Sequence, residues 1–215
     1  MHSVLSTKLL SQSQTNLLLN AGLSVTEYNF IQTKALSLSG SISEDTYPNA
    51  IVTSQTTVDL IKDFKIDACF CVGRKTASKL RSFGFPVECV AESGKALAER
   101  ILEKYSELSF TFFGSAQRRP ELAKILGKAY ISLSEIFVYE TIKTAKTFNR
   151  DFDAVLCFSP MGVDSFFEAN PASTSKVICI GNTTATQAKL YSKSVFISNT
   201  SSVESVIVKA VNLLK

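Results

Sequence analysis

The chain has 215 residues, 45% of them hydrophobic, enough to bury one large core or two small ones. Its formal net charge is +4, from 23 basic and 19 acidic residues, too mild and too scattered for a nucleic-acid surface. A single histidine, His2, excludes Ser-His-Asp and Cys-His catalytic sets and a His-rich metal site.

The opening stretch, MHSVLSTKLLSQSQTNLLL, has no basic region followed by a continuous apolar run, so no signal peptide is expected. No apolar run reaches the length of a membrane span. Apolar, β-rich runs predict strands at 3–6, 25–30, 50–53, 68–72, 87–90, 110–113, 129–132, 154–158, 177–180 and 195–197. Between them, helical stretches are predicted at 58–63, 76–83, 95–105, 120–126, 184–191 and 203–214. This alternation indicates an α/β fold with parallel sheets, and strands apolar on both faces indicate helices on both sides. Cysteines stand at 69, 71, 89, 157 and 179, an odd number, four of them in apolar runs. They are expected to be reduced core residues of a cytoplasmic protein.

Two stretches interrupt the rhythm. Residues 28–38, YNFIQTKALSL, and 135–144, EIFVYETIKT, are extended without a helical period. They predict two linker strands between a discontinuous domain, 1–32 plus 145–215, and an inserted domain, 33–144. Two such connections allow hinge motion around a cleft.

A motif pair occurs twice. TSQTTV (53–58) is followed by VGRKTA (72–77), and FSPMGV (158–163) by IGNTTA (180–185). Ser54 and Ser159 are 105 positions apart, and Gly73 and Gly181 are 108 apart, as are Thr76 and Thr184. A displacement near half the chain marks an internal duplication. Each motif puts a small hydroxyl residue where a parallel strand gives way to a helix, the usual ligand edge of an open α/β sheet. Helix N-termini accept carboxylates or phosphates there. Thr53 or Ser54, Thr76, Ser159, and Thr183 or Thr184 are therefore candidate ligand contacts. Gly73 and Gly181 are candidates for a sharp turn close to the ligand. Ser and Thr before a helix are also ordinary N-caps, and that reading stands beside the first. No Gly-x-Gly-x-x-Gly and no P-loop motif is present, which argues against ordinary dinucleotide or NTP binding.

Taken in order, TSQTTV, VGRKTA, VYET (138–141), FSPMGV and IGNTTA resemble the uroporphyrinogen-III synthase family. With the closing NTSSVESVIVKAV, the resemblance covers nearly the whole chain. It implies two similar flavodoxin-like α/β domains, one inserted in the other and joined by a two-stranded β-ladder. It implies a monomeric cytoplasmic lyase that needs no cofactor and no metal. The implied substrate is hydroxymethylbilane, a linear tetrapyrrole closed to a ring with inversion of its last pyrrole. A transient contact with hydroxymethylbilane synthase is implied as well, and no contact with nucleic acid or membrane. The resemblance assigns Tyr139 and Thr184 to catalysis. It assigns Thr53, Ser54, Gly73, Thr76, Gly114, Ser159, Gly181 and Thr183 to substrate binding. A packing role in the linker is the alternative for Tyr139. The chain departs from the family pattern at Gln55, where many members have Pro, and at Ser6-Thr7-Lys8, where an Arg-containing turn is common. Gly114 is followed by Arg118 and Arg119, both candidates to face the substrate and both compatible with a surface helix. A non-catalytic two-domain binder of an acidic metabolite is the rival reading, and a flavodoxin-like electron carrier the third.

Overall fold

The computed structural model describes residues 1–37, 46–117 and 120–215. Position 38 of the predicted linker, and Arg118 and Arg119, lie outside the described residues. The chain alternates β1 (Ser3–Ser6), α1 (Gln12–Asn20), β2 (Ser24–Glu27), β3 (Ile31–Ala35), β4 (Tyr47–Val52), α2 (Gln55–Leu60), β5 (Ile66–Val72), α3 (Arg74–Ser82), β6 (Val87–Ala91) and α4 (Gly94–Lys104). It continues with β7 (Phe110–Ser115), α5 (Glu121–Lys128), β8 (Leu133–Lys143), β9 (Ala154–Cys157), α6 (Pro160–Ala169), β10 (Lys176–Cys179), α7 (Asn182–Ala188), β11 (Val195–Ile197) and α8 (Val203–Leu214). No described helix is long and apolar enough to cross a membrane.

Two compact units result, Met1–Gln32 with Ile142–Lys215, and Thr33–Thr141. The first holds a five-stranded sheet in the order β11-β10-β9-β1-β2, parallel at every pairing. Numbered within the unit this is 2-1-3-4-5, the flavodoxin-like order. The second holds the order β3-β8-β7-β4-β5-β6, parallel from β8 to β6. The chain passes between the units in β3 and β8, which are neighbours in that sheet. Backbone bonds Thr144 N–H to Phe30 O and Leu36 N–H to Val138 O, both 3.0 Å, step in opposite directions, so this one pairing is antiparallel.

Alternate strand residues face opposite layers, as the two-residue period requires. In the first unit Val155 and Cys157 pack with Val163 and Phe166 of α6, while Ala154 and Leu156 pack with Leu18 of α1 and Val206 of α8. In the second, Val52 and Cys71 pack with Val58 and Leu80 of α2 and α3, while Ile51 and Phe70 pack with Leu97 and Leu122 of α4 and α5. The cysteines are free and buried.

One predicted strand is corrected. Residues 129–131 form the C-terminal stop of α5, Ser132 O accepts from Phe110 N–H of β7 at 2.9 Å, and β8 begins at Leu133. Ile131 N–H bonds Leu126 O and Tyr130 N–H bonds Gly127 O, both 3.1 Å, the paired bonds of a Schellman motif. Ile131 and Leu126 share one apolar cluster, so the apolar alternation read as a strand serves a helix stop instead.

Candidate functional site

The C-terminal ends of the strands carry the hydroxyl residues, and the helices that follow fall into two kinds. In the first kind a serine closes the helix. Ser54 Oγ accepts from Thr57 N–H at 3.1 Å at the start of α2. Ser159 Oγ accepts from Gly162 N–H at 3.0 Å at the start of α6. Both serines sit in extended backbone, as N-caps do. The capping expectation holds for these two.

In the second kind a glycine opens the helix. Gly73 precedes α3 and Gly181 precedes α7, and neither helix has a side-chain cap. Three residues on, Thr76 is 5% exposed and Thr184 is 1% exposed. Neither threonine hydroxyl forms a hydrogen bond to a described residue, although both residues are nearly buried. The two glycines differ in why they are there. Gly73 has φ +87°, a left-handed conformation that favours glycine, so the expected sharp turn is present. Gly181 has φ −176°, extended backbone open to any residue, so the expectation of a sharp turn at Gly181 is corrected. A Cβ on Gly181 would meet Ser201 Oγ at 3.5 Å, ordinary contact. Thr183 is exposed one position before Thr184.

In the Thr33–Thr141 unit, strand order brings distant residues together. Tyr139 lies beside Ser115 in the β7–β8 register, after an irregularity at Gly114. Its hydroxyl lies 3.2 Å from Ser54 Oγ, although 85 positions separate the two residues. Ser54 Oγ also lies 2.9 Å from Thr57 Oγ1. Thr53 is half-buried just before Ser54. Gly114 is buried, and a Cβ there would fall 2.5 Å from the Phe112 ring, so a side chain at this position would displace that ring. At the end of β7, Gln117 Oε1 accepts from Ser115 Oγ at 3.0 Å and from Thr141 N–H at 2.9 Å.

In the other unit, Thr7 is buried and its hydroxyl donates to Leu156 O at 2.8 Å. Lys8 Nζ stands 5.7 Å from the centroid of the Phe158 ring, next to Ser159. Burial pushes the Cys69 thiol up to about 12, with the neighbouring Cys71 adding to it. Burial likewise raises Cys71 to about 11 and Cys179 to about 12, and lifts Cys157 well above its ordinary value. These four are therefore neutral packing groups near pH 7, not nucleophiles. Among the described residues no group of three or more His, Cys, Asp or Glu could hold a metal ion.

Sequence reading singled out most of these positions but not Thr57, which meets Ser54 locally at the start of α2, while the contact of Ser54 with Tyr139 depends on β8 lying beside β7. The chemistry on offer is hydrogen-bond donation: open first turns and free threonine hydroxyls suit an anionic ligand such as a carboxylate.

A family model described as Uroporphyrinogen-III synthase HemD matches residues 13–207. Among solved structures, a uroporphyrinogen-III synthetase from Helicobacter pylori is similar, with 15% identity and a TM-score of 0.73 over 99% of this chain and 100% of that one. A mutant uroporphyrinogen III synthase from Thermus thermophilus is similar with 14% identity and a TM-score of 0.62, covering 100% of both chains. At these identities the two structures speak for the fold. No curated protein sequence matches the chain.

Proposed function

Because the chain belongs to the uroporphyrinogen-III synthase family, we propose that it closes hydroxymethylbilane to uroporphyrinogen III, turning over the last pyrrole and releasing water. It is a cyclising lyase of tetrapyrrole biosynthesis. The observation that carries the assignment of its binding groups is the pair of nearly buried threonines, Thr76 and Thr184, at matching places in the two repeats, whose hydroxyls have no partner among the described residues.

The substrate supplies its own electrophile. Loss of the terminal hydroxyl leaves an azafulvene cation, and the substituted carbon of the last ring attacks it. The resulting spiro intermediate breaks and recloses with that ring reversed. What is asked of the protein is to hold a flexible polyanion folded and to favour developing charge. In this reading Thr76, Thr183 and Thr184 donate to substrate carboxylates, along with the free Ser159 proton and Thr53. The open first turn of α3, begun by Gly73, adds backbone N–H donors. Gly181 leaves the start of α7 without a side-chain cap, and Gly114 keeps the end of β7 in shape. Tyr139 donates a hydrogen bond to the departing hydroxyl. The buried thiols support a cytoplasmic setting, and the reactivity of the substrate supports a direct hand-over from hydroxymethylbilane synthase. Supplying hydroxymethylbilane to the purified chain and identifying the ring isomer tests the reading.

A further inference from the structure

We infer that Thr57 and Ser54 form a one-way hydrogen-bond relay that keeps the Tyr139 proton turned outward, towards substrate. This rests on the reading of Tyr139 given above. The Thr57 hydroxyl is wholly buried, and its one hydrogen-bond partner among the described residues is Ser54 Oγ, at 2.9 Å. A buried hydroxyl whose proton is left unpaired is costly, so Thr57 donates and Ser54 accepts. Ser54 Oγ already accepts from Thr57 N–H at 3.1 Å. A serine oxygen has two lone pairs and one proton. With both lone pairs taken, the Ser54 proton goes to its remaining neighbour, the Tyr139 oxygen at 3.2 Å. Tyr139 is then an acceptor from inside, and its own proton is free to be donated. Ser54 and Thr57 are positioning residues, and Tyr139 is the group that touches substrate.

Removing the first donor undoes the direction. In Thr57→Val, Ser54 regains a lone pair and can take the Tyr139 proton, while the cap on α2 is untouched. In Ser54→Asp the cap remains but the residue only accepts, so it draws the Tyr139 proton inward. Steady-state turnover of hydroxymethylbilane should show kcat reduced about tenfold in both variants, with KM changed less than about twofold. Thr57→Ser keeps the donor and should stay within about twofold of the parent. In a Tyr139→Phe background, Thr57→Val should cost nothing further, because its effect runs through the phenol. Melting temperatures identify any variant that fails to fold, and Ser54→Asp carries the test if Thr57→Val does. Equal losses in Thr57→Val and Thr57→Ser, or losses that multiply in the double variant, overturn the relay. A slow Tyr139→Phe beside a fully active Thr57→Val also overturns it. Full turnover in Tyr139→Phe removes instead the reading of Tyr139 on which the relay rests.

Discussion

Two single residues carry costs or contacts that can be read without reference to the reaction. Tyr130 closes α5 at φ 58° and is 95% exposed, so a side chain stands in the left-handed region with no packing to compensate. The matching turns after α1 and α3 use Gly22 and Gly84 at φ 79° and 83°. Tyr130→Gly should therefore raise stability by about 1 kcal/mol, the relief of strain exceeding the added freedom of the unfolded chain. A thermal melt with an unchanged or lower midpoint would refute this. Asp153 binds Ser3 N–H at 2.7 Å, Ser3 Oγ at 3.1 Å and His2 Nδ1 at 3.1 Å. Led by the Ser3 N–H, these partners lower its carboxyl from 3.8 to about 2. An acid held below its ordinary value stabilises the folded state fully above that value and loses the benefit as pH falls through the folded one. Asp153→Asn should lower the urea midpoint near neutral pH, and the gap to the parent should close between about pH 4 and pH 2. A gap constant with pH would mean that the carboxylate charge contributes nothing.

At the scale of elements, helices begun by a capping serine differ from helices begun by a glycine with no side-chain cap. Ser93 caps α4 by accepting from Ala96 N–H at 3.1 Å and belongs to no candidate site. Ser93→Ala should cost about 1 kcal/mol of stability and leave turnover alone. Thr184→Val should do the reverse. It removes a hydroxyl that has no partner among the described residues, so the melting temperature should hold while kcat/KM falls. A loss of stability with normal turnover would make Thr184 a structural residue. Sequence made these helix starts legible because Gly-x-x-Thr and the strand before it are local patterns. It did not separate Ser54 as a cap from Thr76 as a free donor, since that depends on which N–H each hydroxyl reaches. Helix α1 escaped the reading because QSQTN is polar; its start is fixed by Ser11 and Gln14 capping each other, and its buried face is little more than Leu18. The strand predicted at 129–132 failed for the opposite reason, an apolar pattern spent on a helix stop.

At the scale of the molecule, the duplication reaches every described helix. The helices α1 to α4 are matched in order by α5 to α8, and β1, β2, β4, β5 and β6 by β7, β8, β9, β10 and β11. Yet the repeats are not the units. The first unit takes β1 and β2 from one repeat and β9 to β11 from the other, and the second takes β4 to β6 and then β7 and β8. The orders β2-β1-β9-β10-β11 and β8-β7-β4-β5-β6 are the same sheet entered at different strands. Offsets of 105 and 108 residues, differing by only three, exposed the duplication in sequence. The exchange of halves was legible only through the two extended stretches that carry the chain across. What the repeat provides, twice, is a strand end with an uncapped helix and a free threonine, a suitable pairing for a substrate with many carboxylates. The most direct test generates hydroxymethylbilane in place from porphobilinogen and its synthase, adds the folded chain, oxidises the products and separates the uroporphyrin isomers. Predominantly type III product that depends on the native chain is the predicted result. Type I product alone, as forms without a catalyst, would contradict the proposed function.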